Sequence, residues 1–409
     1  MREMKDSGIE WVGQMPADWE LVKIATLYSI RNTKVSDIDY PPLSVTMQGI
    51  LPQVETAAKT NDHDNRKLVK KGDFAINSRS DRRGSCGISE HDGSVSLINT
   101  VLKPNRMMNS QYYNWLFHTP LFADEFYKWG HGIVDDLWTT GWQEMKKITV
   151  PFPATIVQEK IANLLDAKCA EIDALTADIE KQIVTLEQYK RSVITEAVTK
   201  GLNPDAEMKE SGTEWLGKIP ASWEISRIAS VYSLRNTKVS DYEYQPLSVT
   251  MKGIVPQLET AAKTNAHDDR KLVKVGDFAI NSRSDRRGSC GISSMDGSVS
   301  LINTILKPLS KMNPRYYNWL FHTESFADEF YKWGHGIVDD LWTTGWQEMK
   351  RIIIPFPSLE EQEQIACFLD NKCGEIDCVL QSKQNQRDTL SEYKKSLIYE
   401  YVTGKKEVV

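Results

Sequence analysis

VQEKIANLLDAKCAEID, residues 157–173, returns as EQEQIACFLDNKCGEID at 361–377. Two properties of this stretch decide the architecture: it opens a long helix, and it occurs twice. From 156 to 200 the chain has no proline and no glycine, the residues that break or weaken helices. Leu165, Ile172, Ile179, Leu186 and Val193 fall seven residues apart, the spacing of a coiled-coil seam. A helix of about 44 residues rises about 65 Å at about 1.5 Å per residue. In the second copy the series is Leu369, Ile376, Lys383, Leu390 and Leu397, with Lys383 as its one break. A lone amphipathic helix of this length needs a partner stripe. Its own duplicate supplies one.

The duplication extends in both directions. SGIEWVGQMPADWE (7–20) aligns with SGTEWLGKIPASWE (211–224), and RNTKVSD (31–37) recurs at 235–241. NSRSDRRGSCG (77–87) recurs at 281–291, and YKWGHGIVDDLWTTGWQEMK (127–146) at 331–350, both unaltered. The offset is 204 throughout, without insertion or deletion. A unit this long is a duplicated domain, not a solenoid repeat. Each unit begins with short apolar runs broken by turn formers, such as FAIN (74–77) and SVSLINTVL (94–102). A helix is expected within 112–129, where apolar residues recur at helical spacing.

The expected fold is therefore α+β: two mixed sheet-and-helix globules joined by two long antiparallel helices in a coiled coil, with internal pseudo-two-fold symmetry. The antiparallel sense is expected because the first helix leads, at its far end, into a whole second globule. The boundaries read as globule 1–155, helix 156–200, linker 201–212, globule 213–358 and helix 359–404.

The chain has 409 residues, 40% hydrophobic and 26% charged, a globular composition. No apolar run approaches the roughly 18 residues of a membrane helix. MREMKDSGIEW has no apolar core, so no secretory signal is expected. The six cysteines lack metal-ligand spacing and read as reduced thiols of a cytoplasmic protein. The formal charge of −6 disfavours a polyanionic partner only on average. Residues 59–83 hold eight Lys/Arg against four acids, and 263–287 hold seven against four. The helix 157–200 holds six against eight. Bases collect in the globules and acids in the helix, the segregation expected of a phosphate-binding protein.

Catalytic signatures are missing. There is no GxxxxGK[ST] loop, no GxGxxG after a strand and no HExxH. Cys86 has no evident partner histidine in the sequence. Asp135, Asp136 and Glu144 fall within ten residues and define a nuclease alternative. A coiled-coil scaffold that binds proteins is the other alternative.

The basic loop offers more. Arg79, Arg82 and Arg83, with Arg283, Arg286 and Arg287 in the second copy, can fork to guanine edges or pair with phosphates. Asn77 and Asn281 can pair with an adenine edge. Ser80, Ser85, Ser284 and Ser289 suit phosphate contacts, as do Lys59, Lys70, Lys263 and Lys274. A second glycine-bearing loop, GHGIVDDLWTTGW (130–142), adds His131, Thr139 and Thr140, repeated as His335, Thr343 and Thr344. The structural alternative for these loops is a solvated turn over a core, with Trp129 and Trp142 as core anchors and Trp138 undecided. Arg31, Asn32 and Lys34 form a third polar cluster.

SGIEWVGQMPADWE, LVKKGDFAIN, PFP-x4-QEKIANLLD and LEQYKRSVITEAVTKGL, with their second set, resemble the specificity subunit of Type I restriction–modification systems. The resemblance covers essentially the whole chain. It implies that each globule is a target recognition domain and each long helix a central conserved region. It also implies a non-catalytic subunit with no cofactor of its own. The implied partners are double-stranded DNA, two adenine-N6 methyltransferase subunits that use S-adenosylmethionine, and often two restriction subunits that use ATP and Mg. Family members commonly carry two dissimilar recognition domains. Here they are near-copies, so the expected target is an inverted repeat. Differences such as Gln48 against Lys252, Asp62 against Ala266, Asn65 against Asp269 and Lys71 against Val275 lie near the candidate contacts.

Overall fold

The structure is a computed structural model that describes residues 2–53, 63–132, 138–257, 267–309, 312–336 and 342–408. Lys59, Lys263, Asp135 and Asp136 lie outside the described residues. The chain divides into two compact units, Met1–Glu180 with Asn385–Val409, and Lys181–Gln384. The division cuts both long helices. Each unit therefore holds one globule, the first part of the helix that follows it and the last part of the other helix.

The first unit opens with β1 (Met4–Asp6) and β2 (Gln14–Pro16), an antiparallel pair. Next come β3 (Glu20–Lys23), the one-turn helix α1 (Ile24–Leu27), β4 (Tyr28–Ile30) and β5 (Lys34–Val35). β6 (Leu43–Thr46) and β7 (Gly49–Pro52) form a hairpin. β8 (Arg66–Val69), β9 (Phe74–Asn77), β10 (Cys86–Ile88), β11 (Gly93–Val95) and β12 (Asn99–Pro104) follow. α2 (Ser110–Phe117), α3 (Pro120–Lys128), α4 (Trp142–Met145) and β13 (Thr149–Phe152) close the globule. The central sheet is antiparallel, in the order β10-β9-β12-β4, and a second sheet runs β11-β8-β5. FAIN is β9, flanked on both sides, and all four of its residues are buried. That is why its run is continuous rather than alternating.

The segment 112–129 forms two helices rather than one, because Thr119 and Pro120 start a new one. The Asn109 side chain accepts from Tyr112 N at the start of α2, and the Thr119 hydroxyl accepts from Phe122 N at the start of α3. Their inner faces join Tyr28 and Phe74 in an aromatic core; Phe117 and Phe122 lie 4.5 Å apart between centroids. The second unit repeats these elements 204 residues on, with the same strand orders: Cys290–Ile292, Phe278–Asn281, Asn303–Pro308 and Tyr232–Leu234 in the central sheet, and Gly297–Val299, Arg270–Val273 and Lys238–Val239 in the other.

α5 (Thr155–Lys200) is a single helix, as is Leu359–Val402. The expected seam is present and has a second row. Leu165, Cys169, Ile172, Thr176, Ile179, Ile183, Leu186, Lys190, Val193 and Ala197 are all buried or half-buried, at alternating steps of four and three. The apolar series alone identified only every second member. In the first unit Lys394 Nζ meets Asp173 at 2.6 Å, while the Tyr112 hydroxyl donates to Val402 O at 2.7 Å. Asn109 N, at the cap of the same α2, donates to Gln158 Oε1. Residue 402 therefore lies near 158 and residue 394 near 173, so the two helical segments run antiparallel. The second unit repeats this with Lys190 on Asp377 at 2.6 Å and Tyr316 on Val198 O at 2.8 Å.

Two expectations are corrected. The stretch 201–212 is not all linker, because Met208–Glu210 is a strand paired with Lys218–Pro220. Trp129 is not a core anchor. It is 44% exposed, just past the end of α3, with its indole N–H on Glu125. Among the described residues, no helix is long and apolar enough to cross a membrane.

Candidate nucleic-acid interface

The two loops singled out in the sequence, about fifty residues apart, form one surface. Thr140 N donates to Ser78 O at 2.9 Å and Ser80 N donates to Trp138 O at 3.0 Å. His131 and Thr139 exchange backbone hydrogen bonds of 3.0 and 3.1 Å. The Trp138 indole N–H donates to Tyr127 O, so this tryptophan is half-buried beneath the second loop. Gly130 is needed there, since a Cβ on it would stand 2.5 Å from the Trp138 indole nitrogen.

The loop side chains divide into an inner and an outer set. Asn77, Ser85 and Thr140 are buried, as are Asn281, Ser289 and Thr344. Asn77 Oδ1 accepts from Arg79 N at 3.0 Å, and the Tyr127 hydroxyl donates to Asn77 O at 2.9 Å. The Thr140 hydroxyl donates to Phe126 O at 2.9 Å. These six residues sit inward of the others and help shape the loops. Small polar side chains serve nearby backbone as readily as a partner.

Arg79, Ser80, Arg82, Arg83, Lys70, His131 and Thr139 are half-buried or exposed, and so are their twins. Asp81 lies 3.2 Å from Arg79 and 3.8 Å from Arg82. Arg83 pairs with Asp124 and stands 5.5 Å over the Tyr127 ring. The second unit repeats each of these pairs. Exposed pairs of this kind are worth little, about 0–1 kcal/mol, so these arginines are only weakly held by their acids.

Arg79 differs from its neighbours. Its side chain is only about one-third exposed, and its backbone is fixed by Asn77 and by the bridge to Thr139. In the second unit the equivalent Arg283 lines a groove of about 480 Å³ together with Asn236, Lys271, Thr343 and Trp346. All four have identical counterparts in the first unit: Asn32, Lys67, Thr139 and Trp142.

The third polar cluster splits. Arg31 turns inward onto Asp73 at 2.5 and 3.0 Å, and this pair holds the Arg31 pKa above its ordinary value. Asn32 stays exposed. Arg66, counted among the bases of the loop region, is buried on Ser94 and so leaves the outer charge.

Comparison with known proteins fits this layout. No protein-family model matches the chain. A Type I restriction enzyme specificity subunit, MjaVIII, of Methanocaldococcus jannaschii is 22% identical over 96% of this chain and 94% of its own length. A second from that organism, the putative MjaX subunit, is 22% identical over 96% and 95%. A solved chain from a study of complex assembly and conformational transition in the type I R-M system superposes with a TM-score of 0.72, at 12% identity, over 95% of this chain and 98% of that one. The HsdS subunit of Thermoanaerobacter tengcongensis superposes at 0.55, with 14% identity and the same coverage. The chain has the fold of a type I restriction specificity subunit.

Within that fold the sequence reading missed two features. Lys67 and Lys271 were counted as bases but not placed in the groove. Each stands between a buried arginine and a buried leucine in the strand sequence RKLV, which has no apolar–polar alternation to mark the lysine as the outward residue. Burial pulls their pKa below the ordinary lysine value. The structure also gives Cys86 a neighbour. His118 Nε2 lies 3.7 Å from its sulfur, with Cys290 and His322 repeating the pair. No nucleophile results, because burial raises the Cys86 pKa and lowers that of His118, leaving both neutral. Among the described residues, no group of three or more His, Cys, Asp or Glu is arranged to hold a metal ion.

Proposed function

We propose that the chain is the DNA-reading subunit of a Type I restriction–modification complex, and that its two grooves read the same half-site. The observation that carries this reading is that the two loops pack together in the same way in both units, while the residues lining the groove of the second unit recur in the first. Between the copies, exposed positions elsewhere have diverged: Ile38 against Tyr242, Lys71 against Val275, Glu90 against Ser294. The exposed or half-buried groove and loop residues Asn32, Lys67, Arg79, Arg82, Arg83 and Thr139 have not. Each unit pairs the start of one long helix with the end of the other. The target is then a bipartite inverted repeat with an unread spacer.

The chain itself is a reader and not a catalyst in this proposal. Its partners are two adenine-N6 methyltransferase subunits, which supply S-adenosylmethionine, and in a full system restriction subunits that use ATP and Mg. All would act in the cytoplasm. Exposed Leu175, Val184 and Tyr189 on α5, with Val379 and Tyr393 on the second long helix, give these partners apolar area to cover.

Salt dependence tests the DNA reading. Binding of the full chain, with its methyltransferase partners, to a duplex should weaken steeply as salt rises. Replacing Lys70 and Lys274 by alanine should lower affinity for all sequences alike. It should also flatten the logarithmic salt slope by about one unit for each lost phosphate contact. Affinity indifferent to salt would exclude a phosphate-binding surface.

A further inference from the structure

One wall of the groove is apolar. Leu97 and Ile98 form the turn between β11 and β12 and are 37% and 43% exposed; their twins Leu301 and Ile302 line the groove of the second unit. The turn is rigidly built. Asn99 donates to Ser96 O through both its backbone N–H and its side-chain amide, at 3.0 and 3.1 Å. Ser78 N donates to Ile98 O, and Lys67 Nζ donates to Asn99 O at 2.6 Å. In the second unit Lys271 Nζ reaches the carbonyls of both Leu301 and Asn303. Two aliphatic side chains are thus fixed beside a lysine and an arginine. Among the described residues, the recorded bonds of that lysine go to carbonyls rather than to a carboxylate. Neighbouring surface residues differ between copies, Glu90 and His91 against Ser294 and Met295, but both aliphatic residues are kept.

A cationic groove with one apolar wall suits the major-groove edge of DNA, where cations meet phosphate or guanine and an aliphatic side chain meets the C5-methyl of thymine. An intercalating wedge would project into solvent, as Ile38 and Met107 do at 83% and 85% exposed. Leu97 and Ile98 instead lie along a wall. We propose that Leu97–Ile98 and Leu301–Ile302 sense a thymine methyl group in each half-site. This rests on the DNA-reading function and specifies one base type that the grooves recognise.

The full chain with its methyltransferase partners is used to select duplexes from a random-sequence pool. Each thymidine of the selected motif is then replaced singly by deoxyuridine, which removes only the methyl group. The expected result is one thymidine per half-site whose replacement weakens binding about fourfold, the worth of one buried methyl. An Ile98→Ala, Ile302→Ala chain should bind the thymidine and deoxyuridine duplexes equally. A selected motif indifferent to deoxyuridine at every position would overturn the inference and leave DNA reading intact. So would a double variant that keeps the full discrimination. Failure to select any motif would overturn the DNA reading and the inference together. The deoxyuridine measurement uses the unaltered protein, so misfolding of a variant cannot imitate the result.

Discussion

Replacing Arg79 and Arg283 together by alanine is expected to abolish preference for the target while sparing the fold. Each arginine is the groove residue whose main chain is held on both sides, by the Asn77 or Asn281 side chain and by the bridge to Thr139 or Thr343. Pre-set backbone lowers the ordering cost of binding, so a forked contact from this position should be worth about 1–3 kcal/mol per half-site. Loss at both half-sites then costs about 2–6 kcal/mol, thirtyfold or more in relative affinity. The check is competition between target and scrambled duplexes at fixed salt. Arg82 and Arg83 are more exposed and should behave differently: their replacement should weaken target and scrambled duplexes together. Lysine at 79 and 283 should not restore the preference, because an ammonium cannot fork. Thermal melting should barely change, since the pair each arginine makes with Asp81 or Asp285 is partly exposed.

Asp73→Ala is expected to cost the first unit about 3–5 kcal/mol of stability, the loss typical when one member of a buried ion pair is removed. The Asp73 carboxylate is almost fully buried and accepts from Arg31 Nε at 2.5 Å, from a second Arg31 nitrogen at 3.0 Å and from Lys70 N at 2.9 Å. Removing it strands a largely buried guanidinium and a backbone N–H. Since a domain is typically stable by about 5–15 kcal/mol, the change should be visible as a split transition. One unit should unfold at lower denaturant while the twin, with its Arg235–Asp277 pair, keeps its midpoint. Asp277→Ala should weaken the other unit in the same way. Replacing both partners together, as in Arg31→Met with Asp73→Leu, should cost much less.

The repeat and the long helices were legible because both depend on residue order alone. An identical offset survives any packing, and a seven-residue apolar series demands a partner. The second seam row was hidden by its composition, since Cys169, Thr176, Lys190 and Ala197 carry little hydrophobic signal. The two candidate loops stand out in the sequence by their residues, but their juxtaposition comes from backbone hydrogen bonds that no side-chain pattern encodes. The same limit explains Asn77, Ser85 and Thr140. Sequence shows that a polar side chain is present, but not whether its partner is the adjacent backbone or a ligand. Arg66 shows this for charge: a serine 28 residues away takes it out of the outer surface. Leu97 and Ile98 read as part of an apolar strand run, and only the turn between β11 and β12 exposes them.

The inverted-repeat reading is tested most directly by mapping methylated adenines in cells that express this chain with its methyltransferase partner. The account predicts one bipartite motif whose two half-sites are reverse complements across a fixed spacer, with one modified adenine in each. Two unrelated half-sites would contradict it, because loops with the same arginines would then be reading different sequences.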